Sequence, residues 1–311
     1  GSFSTTTTAS FSADFAIGAV DGGTSTSDDA VNAGYGFQID LNTSFTGEDS
    51  LDISLDAGTS SKTGYAEFDL NTGSGLTVDG ISYTFPVGDM TVMVGDTVDG
   101  SSLFSIACVY GTPSNTMDDC GAANSAFVGS GTTLAASYDF DNGFYTSFGY
   151  AGSGDTDAGL MTKEGYDSYG LNAAYSGDEY GVSVSYALVE DGTTSDETYT
   201  AINAYWTPDG FPSISVGYEW TTDSDAAATV DTDTHYFVGV QFEEVGPGTL
   251  GFAVGTKTAV QEGAEELLMY EAFYSYSVND GMTITPLVYI KESVAGTDDE
   301  TGLMVKTSFS F

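Results

Sequence analysis

Arginine is missing from this chain altogether. All five basic residues are lysines, they stand against 46 Asp and Glu, and there is a single histidine. The formal charge of −41 excludes nucleic acid as a partner, since binding phosphate needs a basic surface. With one His and no Gly-x-Ser-x-Gly elbow, Walker loop or paired-Cys motif, catalysis would have to run on carboxylates and hydroxyls alone, so the sequence does not read as an enzyme. No stretch approaches the roughly 20 consecutive apolar residues of a transmembrane helix. That absence does not exclude a membrane, because a barrel strand needs only about 9 to 11 residues and shows apolar groups at alternate positions.

What the 311 residues do contain is a β composition: 40 Gly, 20 Tyr and 19 Phe among many Ser and Thr, with few helix formers. Aromatic content of 13% argues for a folded object with acidic loops rather than a disordered acidic tail. An acidic proteome adapted to salty water accounts for the charge better than a dedicated acidic binding function does. The last eleven residues put Leu303, Val305, Phe309 and Phe311 on one face and Met304, Lys306, Ser308 and Ser310 on the other. Such a strand, closed by a carboxy-terminal Phe, is how outer-membrane β-barrels end. The start, Gly1-Ser2-Phe3-Ser4-Thr5, has no initiator Met and no signal peptide, which predicts a mature chain or a module of a longer protein.

Alternating segments recur near residues 6–20, 34–46, 49–58, 76–86, 90–96, 131–141, 143–152 and 165–176, then 180–190, 197–206, 211–221, 233–243, 249–257, 266–278, 282–292 and 300–311. That makes sixteen, the least regular being 76–86, whose alternation slips around Gly80. Short turns such as Asp141-Asn142-Gly143 and Asn279-Asp280-Gly281 supply the positive φ of tight hairpins. They alternate with longer polar connections, the longest being 97–130. Short and long connections on opposite rims predict a 16-stranded antiparallel transmembrane β-barrel over 1–311, located in a bacterial outer membrane. Phe11, Phe15, Ile17, Val182, Val184 and Tyr186 would face hydrocarbon, with Tyr35, Tyr150, Trp206, Trp220 and Tyr236 as interfacial girdles.

A barrel of this size leaves an aqueous channel unless something folds into it. Segment 97–130 has the composition of a wedged, inward-folded constriction loop, with Leu103, Phe104, Ile106, Val109 and Tyr110 to pack and Asp118 and Asp119 to meet water. Its Cys108 and Cys120 are expected to form a disulfide in an oxidising compartment, worth about 3 kcal/mol. Alternation points Asp14, Asp40, Asp52, Asp56, Asp139, Glu219, Glu243 and Glu271 into the lumen, together with Lys257, Lys291 and Lys306 on one wall. A net negative lumen predicts a mild cation preference that salt screens. The loop acids Asp231, Asp233, Asp298, Asp299 and Glu300, like Asp28-Asp29, are weak candidates for Ca²⁺ or Mg²⁺ and lack EF-hand order, so no resident cofactor is expected. His235 reads as a wall residue without metal-ligand partners.

The opening Phe3-Ser4-Thr5-Thr6-Thr7, followed by an alternating strand, resembles the start of the barrel module in cyanobacterial outer-membrane porins, the Som group related to OprB-type porins, and the strand pattern extends that likeness over most of the chain. The resemblance implies a homotrimer in outer-membrane lipid whose third loop, 97–130, bends inside the barrel. Porins of the general type oppose an acidic constriction loop with an Arg ladder, which this chain cannot build. The cyanobacterial porins also carry an N-terminal surface-layer-homology domain that anchors peptidoglycan, a segment not present in these residues. The expected function is a passive diffusion porin for inorganic ions and small hydrophilic solutes. Two alternatives are a carbohydrate-selective porin and a non-conducting structural or adhesive barrel.

Overall fold

A computed structural model describes residues 6–23, 30–59, 67, 70, 73–126, 128–190, 192, 196–223, 232–261 and 263–311. The first eight strands are β1 (Thr7–Asp21), β2 (Asn32–Thr43), β3 (Ser50–Gly58), β4 (Thr77–Val87), β5 (Met90–Asp99), β6 (Ser130–Asp139), β7 (Phe144–Gly152) and β8 (Asp167–Ser176). They are followed by β9 (Tyr180–Glu190), β10 (Asp196–Trp206), β11 (Ser213–Asp223), β12 (Thr232–Val245), β13 (Gly248–Thr256), the two-residue β14 (Val260–Gln261), β15 (Leu268–Asn279), β16 (Met282–Lys291) and β17 (Glu300–Ser310).

Every pairing is antiparallel, and β1 pairs with both β2 and β17, from Ser12–Ser310 to Asp21–Thr301. The sheet therefore closes and leaves no edge strand to template aggregation. Sixteen strands make the wall; β14 pairs with the start of β12, through Asp233 and Thr234, and follows β13 after a break over 257–259. The slip near Gly80 is a β-bulge: Ser54 faces Gly80 and Leu55 faces Val78, so Asp79 is skipped in the register.

Facing follows the pleat. On β9, Val182, Val184 and Tyr186 are exposed while Ser183 and Ser185 are buried. Apolar side chains outward and small or polar ones inward on a closed wall place the protein in a bacterial outer membrane, where hydrocarbon covers the exposed belt. Tyr150 departs from the girdle reading. It faces outward but is only 3% exposed, because connection 153–166 folds over it and its hydroxyl donates to Asp167. Inside the barrel lies an apolar cluster that alternation alone does not announce, built mainly from Phe237, Met269, Phe273, Leu287, Tyr289 and Met304 on β12 to β17, with Ala16 and Val20 on β1 and Leu70, Tyr110 and Met117 from the connections.

The short turns are pinned locally. Between β2 and β3, Asp49 Oδ1 accepts the Phe45 and Thr46 amides (2.9 and 2.7 Å) and the Ser44 and Thr46 hydroxyls, and Oδ2 accepts the Tyr83 hydroxyl (2.7 Å). Burial pushes this carboxyl up, but the Thr46, Tyr83 and Ser44 donors outweigh it and hold it well below its ordinary 3.8. The stability it contributes is present above pH 3.8 and is lost as the pH falls below that value. Asp49→Ala is expected to lower the thermal midpoint at neutral pH, with Asp49→Asn recovering part of the loss, whereas at acid pH the parent should fall to about the level of Asp49→Asn.

Candidate functional site: a strap across the barrel wall

Residues 100–129, between β5 and β6, do not lie along the rim. Alternate amides of this segment donate to one side chain after another on the face of the wall opposite the exposed apolar belt. Ser105 N–H reaches Asn172 Oδ1 on β8 (2.9 Å), Ala107 N–H reaches Ser183 Oγ on β9 (2.8 Å), Val109 N–H reaches Ser215 Oγ on β11 (3.0 Å) and Gly111 N–H reaches Gln241 Oε1 on β12 (2.8 Å). On β10, Asn203 Nδ2 donates to the Cys120 carbonyl (2.9 Å). A chain has its amides on one side at every second residue, so a run of four such bonds is a strap crossing the strands.

Wall glycines make room for it. A Cβ on Gly149 would lie 1.9 Å from the Gly100 carbonyl oxygen, and one on Gly217 would lie 1.8 Å from that of Cys120. No side chain fits at either place. Cys108 and Cys120 are disulfide-bonded with a Cα–Cα separation of 6.4 Å, which ties the outgoing run of the strap to its return.

Two carboxylates anchor the strap. Glu219 on β11, 1% exposed, accepts the Asn124 amide and side chain and the Ser125 amide (2.7 Å). Glu271 on β15 accepts the Tyr110 hydroxyl (2.8 Å) and the Thr112 hydroxyl (2.6 Å) through Oε1. Burial first, then the Glu271 charge and hydrogen bond, push the Tyr110 hydroxyl far up, so it stays a neutral donor. Its ring packs on Phe237 and Phe273 at centroid distances of 5.3 and 5.6 Å. A third carboxylate, Glu67, accepts the Thr116 amide and hydroxyl and forms an ion pair with Lys291 on β16.

The residues expected in the lumen fall into distinct groups. Asp14, Asp40, Asp52 and Asp56 lie on the inward face of β1, β2 and β3, half-buried. Asp118 and Asp119 are exposed on the strap, and Asp139 is exposed at the end of β6. Glu219 and Glu271 are buried beneath the strap. Glu243 lies near the end of β12 and accepts Thr249 Oγ1 (2.8 Å). Lys291 and Lys306 sit inward on adjoining strands, but Lys257 lies beyond the end of β13, where its Nζ donates to the Glu292 carbonyl (3.2 Å).

His235 is buried and bonds Thr256 Oγ1. Among the described residues no three His, Cys, Asp or Glu gather as a metal site. Asp299 accepts the Ser293 amide (2.9 Å) and Glu300 the Tyr289 hydroxyl (3.1 Å), so both serve their own connection. Asp233 faces Thr221 and Gln261 in the register. Asp231, Asp28-Asp29 and the opening Phe3-Ser4-Thr5 lie outside the described residues.

A search for charged residues misses the neutral anchors Asn172, Ser183, Asn203 and Ser215. Their signal was the same inward alternation, with a hydrogen-bonding atom at each position. Glu67 gave none, since it sits in an irregular connection.

Closed antiparallel walls like this one have solved counterparts. An anion-selective porin from Comamonas acidovorans superposes with a TM-score of 0.68 at 14% identity, over 98% of this chain and 99% of that one. The chain has the porin fold. The outer-membrane protein OmpT of Vibrio cholerae, as a loop L8 deletion mutant, gives 0.67 at 11% identity over 98% and 100%. Pseudomonas putida OprB gives 0.67 at 13% identity over 98% and 94%. No family model and no curated protein sequence matches this porin-fold chain.

Proposed function

We propose that this barrel is a passive diffusion channel of the outer membrane for inorganic ions and small hydrophilic solutes, mildly cation-selective and narrowed by the strap. The observation that carries the reading is the strap itself: a segment fixed across the inner wall by backbone and side-chain hydrogen bonds reduces the bore without a mobile part. Size filtering at that level, with an electrostatic bias from inward carboxylates, is how a channel of this type discriminates. The carbohydrate-selective alternative is disfavoured by the inward face of β1–β5. By register it carries Ser, Thr, Asp, Asn, Gln, Gly and a few aliphatic residues, and no aromatic ring for a sugar to stack on.

Detergent-purified protein in a planar bilayer is expected to give stable conductance steps, grouped in threes if it assembles as the trimer its resemblance implies. Under a salt gradient the reversal potential should lean toward the cation and approach zero as ionic strength rises. Insertion without conduction would favour the structural or adhesive barrel. A reversal potential of anion sign would remove the cation preference.

A further inference from the structure

The outward face of the wall changes character toward the rim of the long connections. Along β8, β9 and β10 the cross-strand rows run from Ala173, Val184 and Ile202 through Leu171, Tyr186 and Thr200 to Tyr169, Leu188 and Thr198. Leu171, Val184, Tyr186 and Ile202 are exposed, and in the membrane hydrocarbon covers them. The next row is acidic on all three strands: Asp167 faces Glu190, and Glu190 faces Asp196. Like charges directly opposite one another destabilise a sheet, so this row is a cost unless a positive group meets it.

The three acids are not equivalent. Asp167 is fully buried, and its Oδ1 accepts the Tyr150 hydroxyl and the Met161 amide (3.1 Å), which draws connection 153–166 onto the outside of the wall. Its Oδ2 is buried without a hydrogen-bond partner among the described residues, so the charge it adds beside Glu190 is not offset there. A cavity of about 420 Å³ opens at this level. It is lined by Tyr169, by Glu190, Gly192 and Asp196 from β9, β10 and their connection, and by Met161 and Lys163 from connection 153–166. The two connections meet closely: Gly192 takes a φ of +72°, and a Cβ on it would lie 2.8 Å from the Glu164 carbonyl oxygen.

Lys163 is exposed and forms no ion pair among the described residues. The cavity thus presents both signs, an ammonium on connection 153–166 and carboxylates on β9 and β10. A lone phosphate would be repelled by the acidic row, and a lone cation by Lys163. Among the described residues no three acids converge as metal ligands, so the row suits a charge that carries several hydrogen-bond donors better than a bare ion. Met161, 65% exposed at the cavity, and the apolar rows below Tyr169 offer surface that a soluble zwitterion would leave unused.

We infer that this cavity binds a lipid headgroup carrying both a phosphate and a primary ammonium, of the phosphoethanolamine type. Lys163 takes the phosphate, Glu190 and Asp196 take the ammonium, and the acyl chains descend along Leu171, Tyr186 and Ile202. Asp167 positions the connection that brings Lys163 to the site. Because the cavity lies outside the wall, the inference stands or falls independently of whether the barrel conducts.

The test is a titration of delipidated protein in detergent with phosphatidylethanolamine, phosphatidylglycerol and phosphatidylcholine of equal chain length, read by native mass spectrometry. Phosphatidylethanolamine should bind most tightly, since phosphatidylglycerol lacks the ammonium and the methylated ammonium of phosphatidylcholine cannot donate. Lys163→Gln should weaken phosphatidylethanolamine about tenfold, and Glu190→Gln should weaken it similarly and erase its advantage over phosphatidylcholine. Lys163→Arg keeps the charge and should bind as the parent, and equal thermal midpoints in lipid-free detergent check that the variants fold. Equal binding of the three lipids overturns the inference, as do Gln variants that bind like the parent. Phosphatidylglycerol binding best once Ca²⁺ is added would replace the ammonium with a metal-bridged phosphate, and free phosphoethanolamine binding as tightly as the lipid would make the ligand a soluble zwitterion; either result overturns it too.

Discussion

Gly217→Ala should lift the return arm of the strap off the wall and raise the single-channel conductance, with added noise. The new Cβ would stand 1.8 Å from the Cys120 carbonyl oxygen and 2.6 Å from Asn203 Nδ2, and the first of these is backbone that cannot swing aside. Either the strap moves or β11 does, and β11 is paired along its length with both neighbours. Moving the strap costs the Asn203–Cys120 hydrogen bond and loosens the three donors that Glu219 receives a few residues later. Overpacking of this kind costs about 1–3 kcal/mol. That is enough to shift the strap while the ladder of the wall holds. Gly75→Ala, where nothing lies within 4 Å, is the matched control and should behave as the parent. Circular dichroism should show the same β signal for all three; a Gly217→Ala protein with parental conductance would mean that the strap does not limit the bore.

The second large effect is on pH. Asp119 touches water, but the surrounding strap and wall displace most of the bulk solvent around it. Burial, followed by the charges of Asp118 on the strap, Glu219 on β11 and Asp99 on β5, pushes its carboxyl up to about 7. The sign follows from comparing docked and undocked straps. Below the ordinary value of 3.8 both hold the proton and docking carries no penalty; between 3.8 and about 7 only the undocked strap ionises, so docking weakens steadily and remains weakened above that range. At the same time the channel gains one negative charge as the pH rises through about 7. Cation selectivity is therefore expected to increase between about pH 6 and about pH 8, whereas current noise should increase from about pH 4 to about pH 7 and level off above it. Asp119→Asn should flatten both profiles and hold the selectivity at its low-pH level. A parental profile in that variant would assign the titration to another group.

Sixteen strands, their facing and the two kinds of connection were legible in the sequence because a membrane wall imposes period two on every strand and turn chemistry on every second connection. The end of the chain illustrates this: Leu303 exposed and Met304 buried are read correctly from alternation alone. The bulge at Asp79 was legible only as a disturbance near Gly80, since a skipped residue changes the phase without saying which strand it faces. Tyr150 was misplaced in the girdle because alternation gives the side of the wall and not what folds over it.

Charge was the least informative guide to the site. Glu219, Glu271, Asp40 and Asp52 look alike in sequence, each an acid at an inward position. Only the path of residues 100–129 decides that the first two are consumed as anchors and the others left to water, because that path depends on contacts between residues up to 161 positions apart. Period and turn residues are local properties and survive in one dimension. Which inward carboxylate meets a donor, and which meets solvent, is settled where the strap crosses the wall.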